Sequence, residues 1–146
     1  MLLNFLAAVL FTFGMSIDVI KKREPLYCGA QNIYHESRGE SNLGQMAVAN
    51  VVRNRVTSKH YPNTICEVVW QTKQFSWTDD EISDEPKNRK AFVKAVWLNL
   101  ISDMWDKTKG ATHYYAHNKV DPFWAKVMVV TTVIGNHTFG YIPNGK

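Results

Sequence analysis

The strongest constraint on this chain is an apolar stripe made by Val93, Val96, Trp97, Leu100, Ile101 and Met104. These residues fall at i, i+3, i+4, i+7, i+8 and i+11, so a helix puts them on one face and leaves Asn99, Ser102, Asp103 and Asp106 on the other. Such a stripe must be covered, so the fold has to supply further helices or a sheet packed against it. Gly110 is read as the end of this element.

Other segments supply candidate partners. Pro25 suits a first helical turn, and Leu26, Ala30, Ile33 and Tyr34 recur at helical spacing, which predicts a helix over residues 25–37. Gly39 can take the left-handed conformation that ends a helix, and Ser41 or Asn42 can cap the next. A second helix is predicted over 43–56, with Val48, Val51 and Val52 on one stripe and Arg55 continuing it. A cation there either snorkels to the surface or pairs with a buried carboxylate. Residues 57–84 read as irregular. Pro122 is read as opening a last helix to about residue 132, with residues 134–139 closing the domain. The fold class expected is mainly α with a minor β part (α+β minor), in one domain over residues 21–146.

Residues 1–20 begin MLLNFLAAVLFTFGM, an apolar run too short for a span of roughly 20 residues but of the length of a signal-peptide core. No basic residue precedes it, and Lys21, Lys22 and Arg23 follow it. An export signal or short membrane anchor and an apolar helix packed on the domain both remain open, the former allowing transient membrane association. The formal charge of +4 favours anionic partners. The longest basic run is those three residues, so a nucleic-acid stripe is not expected. Cys28 and Cys66 lie outside any CxxC pair, which excludes the usual cysteine-rich zinc site. They are read as two small buried hydrophobes, with a disulfide left open because sequence supplies no distance.

Glu36 and Glu40 are the candidates for acid–base chemistry. Four residues apart, they would be neighbours on an unbroken helix, and mutual repulsion would raise one pKa. Glu36 falls in the last helical turn, where the negative end of the macrodipole also disfavours a carboxylate. Two surface glutamates flanking Arg38 in ion pairs is the plainer reading of the same residues. His113 and His117 could share a helix face, but HExxH is absent and no third ligand is evident, so no metal and no cofactor are expected. No GxSxG elbow or phosphate loop occurs. In Gln74, Phe75, Ser76 and Trp77, aromatics alternate with polar groups as sugar-binding loops require, although aromatics also bury readily in any small domain.

IYHESRGES, GQMAVANVVRNRV, YPNTICEVV, QFSW, ATHYYA and IGNHTF, in this order over residues 30–139, resemble the cell wall hydrolase family typified by spore cortex-lytic enzymes. That resemblance implies a lysozyme-like fold acting on peptidoglycan, usually as a lytic transglycosylase, with Glu36 as the catalytic glutamate. It implies a sugar groove lined by Gln74, Phe75, Ser76, Trp77, Thr112, His113, Tyr114 and Tyr115, with Glu40 in support. A hydrolytic muramidase would need a second carboxylate, for which Glu40, Glu67, Asp79 and Asp80 are candidates. A non-catalytic wall or nucleic-acid binder is the rival from another class. The family's peptidoglycan-binding module is not represented, as in free-standing phage lysis domains. The expectation is a monomer whose partner is peptidoglycan, exported to the cell envelope or periplasm or released there during phage lysis.

Overall fold

The computed structural model describes residues 20–21, 24–71, 74–79 and 85–145. The expectations for residues 1–19 and for Asp80 lie outside the described residues. Among those described, the chain runs α1 (Glu24–Ser37), α2 (Asn42–Thr57), α3 (Ile65–Val69), a 3-10 turn (Ser76–Thr78) and α4 (Arg89–Ser102). Strand β1 (His113–Ala116), a second 3-10 turn (Phe123–Val127), β2 (Val129–Ile134) and β3 (His137–Tyr141) follow. The fold is therefore mainly α with a minor β part, as expected.

Helix starts are set by side-chain caps. Ser41 Oγ accepts from the Gly44 amide at 3.2 Å, and Thr64 Oγ1 from that of Glu67 at 3.2 Å. Asn88 Oδ1 accepts from Ala91 N at 3.0 Å. Each satisfies an amide that the first helical turn leaves without a partner. Between α1 and α2 the turn closes through Glu40 N donating to Ser37 O at 2.9 Å. Gly39 keeps a negative φ there, so the expected left-handed glycine is not how α1 ends.

Helix α2 is the hub. Its small side chains let three sets of neighbours approach. Ala49 joins Ala30, Ile33 and Tyr34 of α1 and Phe92, Ala95 and Val96 of α4. Ala47 and Val51 meet Ala111, Ile134 and Phe139 on the sheet side. Val52 meets Val68, Val69, Phe75 and Trp77. Burying a side chain such as Ile33 or Phe92 contributes about 1.5–3 kcal/mol.

Helix α4 forms where its period predicts but is rotated about its axis. The buried residues are Phe92, Ala95, Val96, Leu98, Asn99 and Ser102, while Met104 lies beyond the helix and is exposed. Asn99 and Ser102, assigned outward as polar, face inward because Arg53 of α2 meets them. Its Nη2 donates to Asn99 O at 2.6 Å and to Asn99 Oδ1 at 3.2 Å, and its Nη1 donates to Ser102 Oγ. Where α1 crosses α4 the spacing is very close. A Cβ on Gly29 would stand 2.6 Å from Asn99 Nδ2.

The sheet has the order β1-β3-β2 and is antiparallel throughout. The expected helix over 122–132 is instead the 3-10 turn and β2. Val129, Val130, Thr131, Thr132, Val133 and Ile134 are all β-branched, which favours a strand over the helix that Pro122 could have started. Gly135, with φ of 55°, opens the two-residue turn to β3. Cys28 and Cys66 form a disulfide, with Cα atoms 5.3 Å apart, that ties α1 to α3. The expectation of two unlinked buried thiols is corrected by this bridge.

Candidate active site

Glu36 sits in the last turn of α1 and opens into a groove of about 430 Å³. Arg55 of α2 and Phe75 form part of the lining, with Gln74 and Tyr61 beside them. His113 and Tyr114 of β1 come from the sheet, and Phe123, Trp124, Val127 and Ile142 complete the far wall. Helices and sheet thus meet at one acid.

The Tyr114 phenol donates to Glu36 Oε2 at 2.8 Å. Burial holds the Glu36 pKa above the ordinary carboxylate value, against the lowering effects of the Tyr114 bond and the Arg55 charge. The upward direction agrees with expectation, but its leading cause is desolvation. Tyr114 itself is pushed well above 10 by burial and by the neighbouring carboxylate, so it remains a donor at any working pH. With Oε2 engaged, Oε1 is the carboxyl oxygen not held by Tyr114.

Arg55 does not snorkel. It is 5% exposed, and its Nε donates to Thr112 O at 2.8 Å. The guanidinium carbon lies 5.1 Å from the Tyr61 ring centroid and 5.3 Å from that of Phe75. Its charge acts on Glu36, but it forms no carboxylate contact within 4.0 Å among the described residues. Burial together with the Arg55 charge lowers the His113 pKa to about 4, so this imidazole is neutral at physiological pH.

Of the residues expected around the acid, Gln74, Phe75, His113 and Tyr114 line the groove. Ser76 is exposed outside this lining, and the Thr112 hydroxyl pairs with His113 Nδ1 at 3.0 Å. Trp77 is a core residue: its Nε1 donates to Asn32 Oδ1 at 3.1 Å, and its ring stacks on His35 at 4.4 Å. Tyr115 supports the wall from behind, edge-on to Trp124 at 5.7 Å. Glu40 points to the sheet turn, with Oε1 3.8 Å from His137 Nδ1 and Oε2 3.1 Å from where a Gly135 Cβ would be. Glu67 bonds the Thr64 hydroxyl at 2.7 Å, and Asp79 is exposed.

His113 and His117 are four apart on and just after a strand, about 13 Å along it at 3.3 Å per residue, so they form no helical pair. His117 Nδ1 pairs instead with Thr138 Oγ1 at 3.1 Å.

Sequence reasoning missed Tyr61, Phe123, Trp124, Val127 and Ile142. Phe123 is 85% exposed, and Trp124 is held beside His113 at 5.4 Å. An aromatic pair directly after a proline was the available signal, and it was assigned to a helix.

A family pattern described as Cell Wall Hydrolase matches residues 39–140, beginning three residues after Glu36. A spore cortex-lytic enzyme of Bacillus cereus is 38% identical over 110 residues, covering 75% of this chain and 41% of that protein. One from Bacillus subtilis strain 168 is 30% identical over 113 residues, covering 75% of this chain and 35% of that protein. The chain thus spans about two fifths of the length of these relatives or less. Among solved structures, the catalytic domain of the Bacillus cereus SleB protein is 32% identical with a TM-score of 0.68, covering 81% of this chain and 90% of that one. The catalytic domain of the germination-specific lytic transglycosylase SleB from Bacillus anthracis is also 32% identical, with a TM-score of 0.69, covering 87% of this chain and 97% of that one.

Proposed function

This chain belongs to the cell wall hydrolase family, and from that premise we propose that it cleaves the peptidoglycan glycan strand between N-acetylmuramic acid and N-acetylglucosamine as a lytic transglycosylase. The observation that carries the proposal is Glu36, a half-buried acid with raised pKa bonded to Tyr114 at the floor of an aromatic groove.

Protonated on Oε1, Glu36 donates to the oxygen linking the two sugars as the bond from C1 of the muramic acid breaks. The resulting carboxylate then takes the proton of that sugar's 6-hydroxyl as O6 bonds to C1, closing a 1,6-anhydro ring. One carboxyl group serves both steps, and Tyr114 and Arg55 stabilise it while it is charged. Among the described residues lining the groove, Glu36 is the sole carboxylic acid, which supports transglycosylation over a hydrolysis needing a second carboxylate. Trp124 and the exposed Phe123 ring offer faces for pyranose rings. Action on this substrate takes place in the cell envelope, reached by export or by phage-mediated release.

Purified peptidoglycan digested with the protein and analysed by mass spectrometry tests the reading. Anhydromuramic ends are expected. Reducing muramic ends would assign a hydrolytic muramidase, and no soluble products would assign a binding domain.

A further inference from the structure

Among the described residues, Arg55 is a buried cation with no carboxylate within 4.0 Å, and Glu36 is the acid its charge reaches. Its Nε is used by Thr112 O, its Nη1 is enclosed with no hydrogen-bond partner among the described residues, and the residue lines the groove that contains Glu36. The cation rests on the ring faces of Tyr61 and Phe75, and the nearby imidazole of His113 is neutral. A guanidinium withdrawn from water with a donor unused costs free energy that its fixed neighbours do not return. Arg53, two residues earlier on another side of the same helix, is the internal contrast: it meets Asp103 at 3.1 Å as well as Asn99 and Ser102.

We propose that Arg55 is a specificity-determining residue whose guanidinium receives the acyl oxygen of the 3-O-lactyl group on the muramic acid. This rests on the glycan-cleaving reading above and names the feature of the substrate that the groove selects. N-acetylglucosamine and N-acetylmuramic acid differ by that lactyl substituent alone. A groove of uncharged walls and one acid would bind both sugars alike, whereas a cation lining the same groove as the acid favours the sugar bearing the extra oxygen, as free carboxylate or amide carbonyl. Selection of this kind fixes the register of an alternating strand, because only one of its two sugars then fits beside Glu36.

The test measures binding and needs no turnover. Calorimetry on Glu36→Gln protein compares an alternating muramic acid–glucosamine tetrasaccharide with a chitin tetrasaccharide of equal length. The expected preference for the muramic ligand is about tenfold, as one charge-assisted hydrogen bond would give. In the Glu36→Gln protein that also carries Arg55→Gln the preference should fall to about one, and Arg55→Lys should restore part of it. Equal affinity for the two ligands in the Glu36→Gln protein overturns the proposal, with no dependence on how the Arg55 variants fold. An undiminished preference in folded Arg55→Gln protein overturns it as well. Failure of the cleavage reading shows separately, as absence of products from wild-type digests.

Discussion

The Tyr114 phenol meets the Glu36 carboxyl at 2.8 Å although 78 positions of sequence separate them. The bond favours the ionised acid, so it restrains the rise that burial produces. Removing the hydroxyl in Tyr114→Phe lets the Glu36 pKa climb further. Because the donor must be protonated, activity falls as pH rises through that pKa, and the alkaline limb of kcat/KM should move to higher pH in the variant. A pH–rate profile of the two proteins checks this; an unmoved limb would mean that Tyr114 does not tune the acid.

Glu36→Gln should lower glycan release by about 10²–10⁴-fold, the usual worth of a general acid–base group. A variant that clears cell walls at the wild-type rate would remove Glu36 from the mechanism.

The same substitution has a pH-dependent effect on stability. The folded-state pKa of Glu36 lies above its unfolded value, so its stabilising contribution is complete below about pH 4.5 and declines as pH rises through the folded pKa. Glutamine has no such decline. Thermal melts should therefore show Glu36→Gln gaining on wild type as pH rises from about 4.5 through the folded-state pKa. A constant difference across that range would contradict the raised pKa.

The Cys28–Cys66 bridge closes a loop across a sequence separation of 38. Replacing both cysteines with serine should cost about 2–4 kcal/mol in denaturant unfolding, and reductant should destabilise wild type while leaving the double variant unchanged.

Phe123→Ala tests the far wall. The ring is 85% exposed, so unfolding free energy should change by less than about 0.5 kcal/mol. KM for glycan strands should rise about two- to tenfold with kcat little changed, as expected when a stacking face that binds ground and transition states alike is removed.

Local pattern carried α1, α2 and α4, the Ser41 cap and the placement of Glu36 in a last turn, because each depends on residues within a few positions of one another, whereas the short α3 fell in the stretch read as irregular. The strand β2 was also legible, in six successive β-branched residues, but Pro122 drew the segment toward a helix. The rotation of α4 was hidden because Asn99 and Ser102 look outward-facing until Arg53, from another helix, is seen to satisfy them. The core placement of Trp77, one of the two readings the sequence left open, depends on a partner, Asn32, 45 positions away. The far wall of the groove comes from residues 123–142, whose approach to Glu36 depends on how the sheet docks on α2, a relation that no short-range spacing encodes.

The crossing of α1 and α4 at Gly29 gives that position a reach well beyond its size. A methyl group there would evict the Asn99 amide, which would leave Arg53 without one of its acceptors. Glu36 lies seven positions further along the same rigid rod, about 10 Å at 1.5 Å per residue. A side chain at this crossing would therefore disturb the packing of the helix that carries the candidate acid, from a position that bears none.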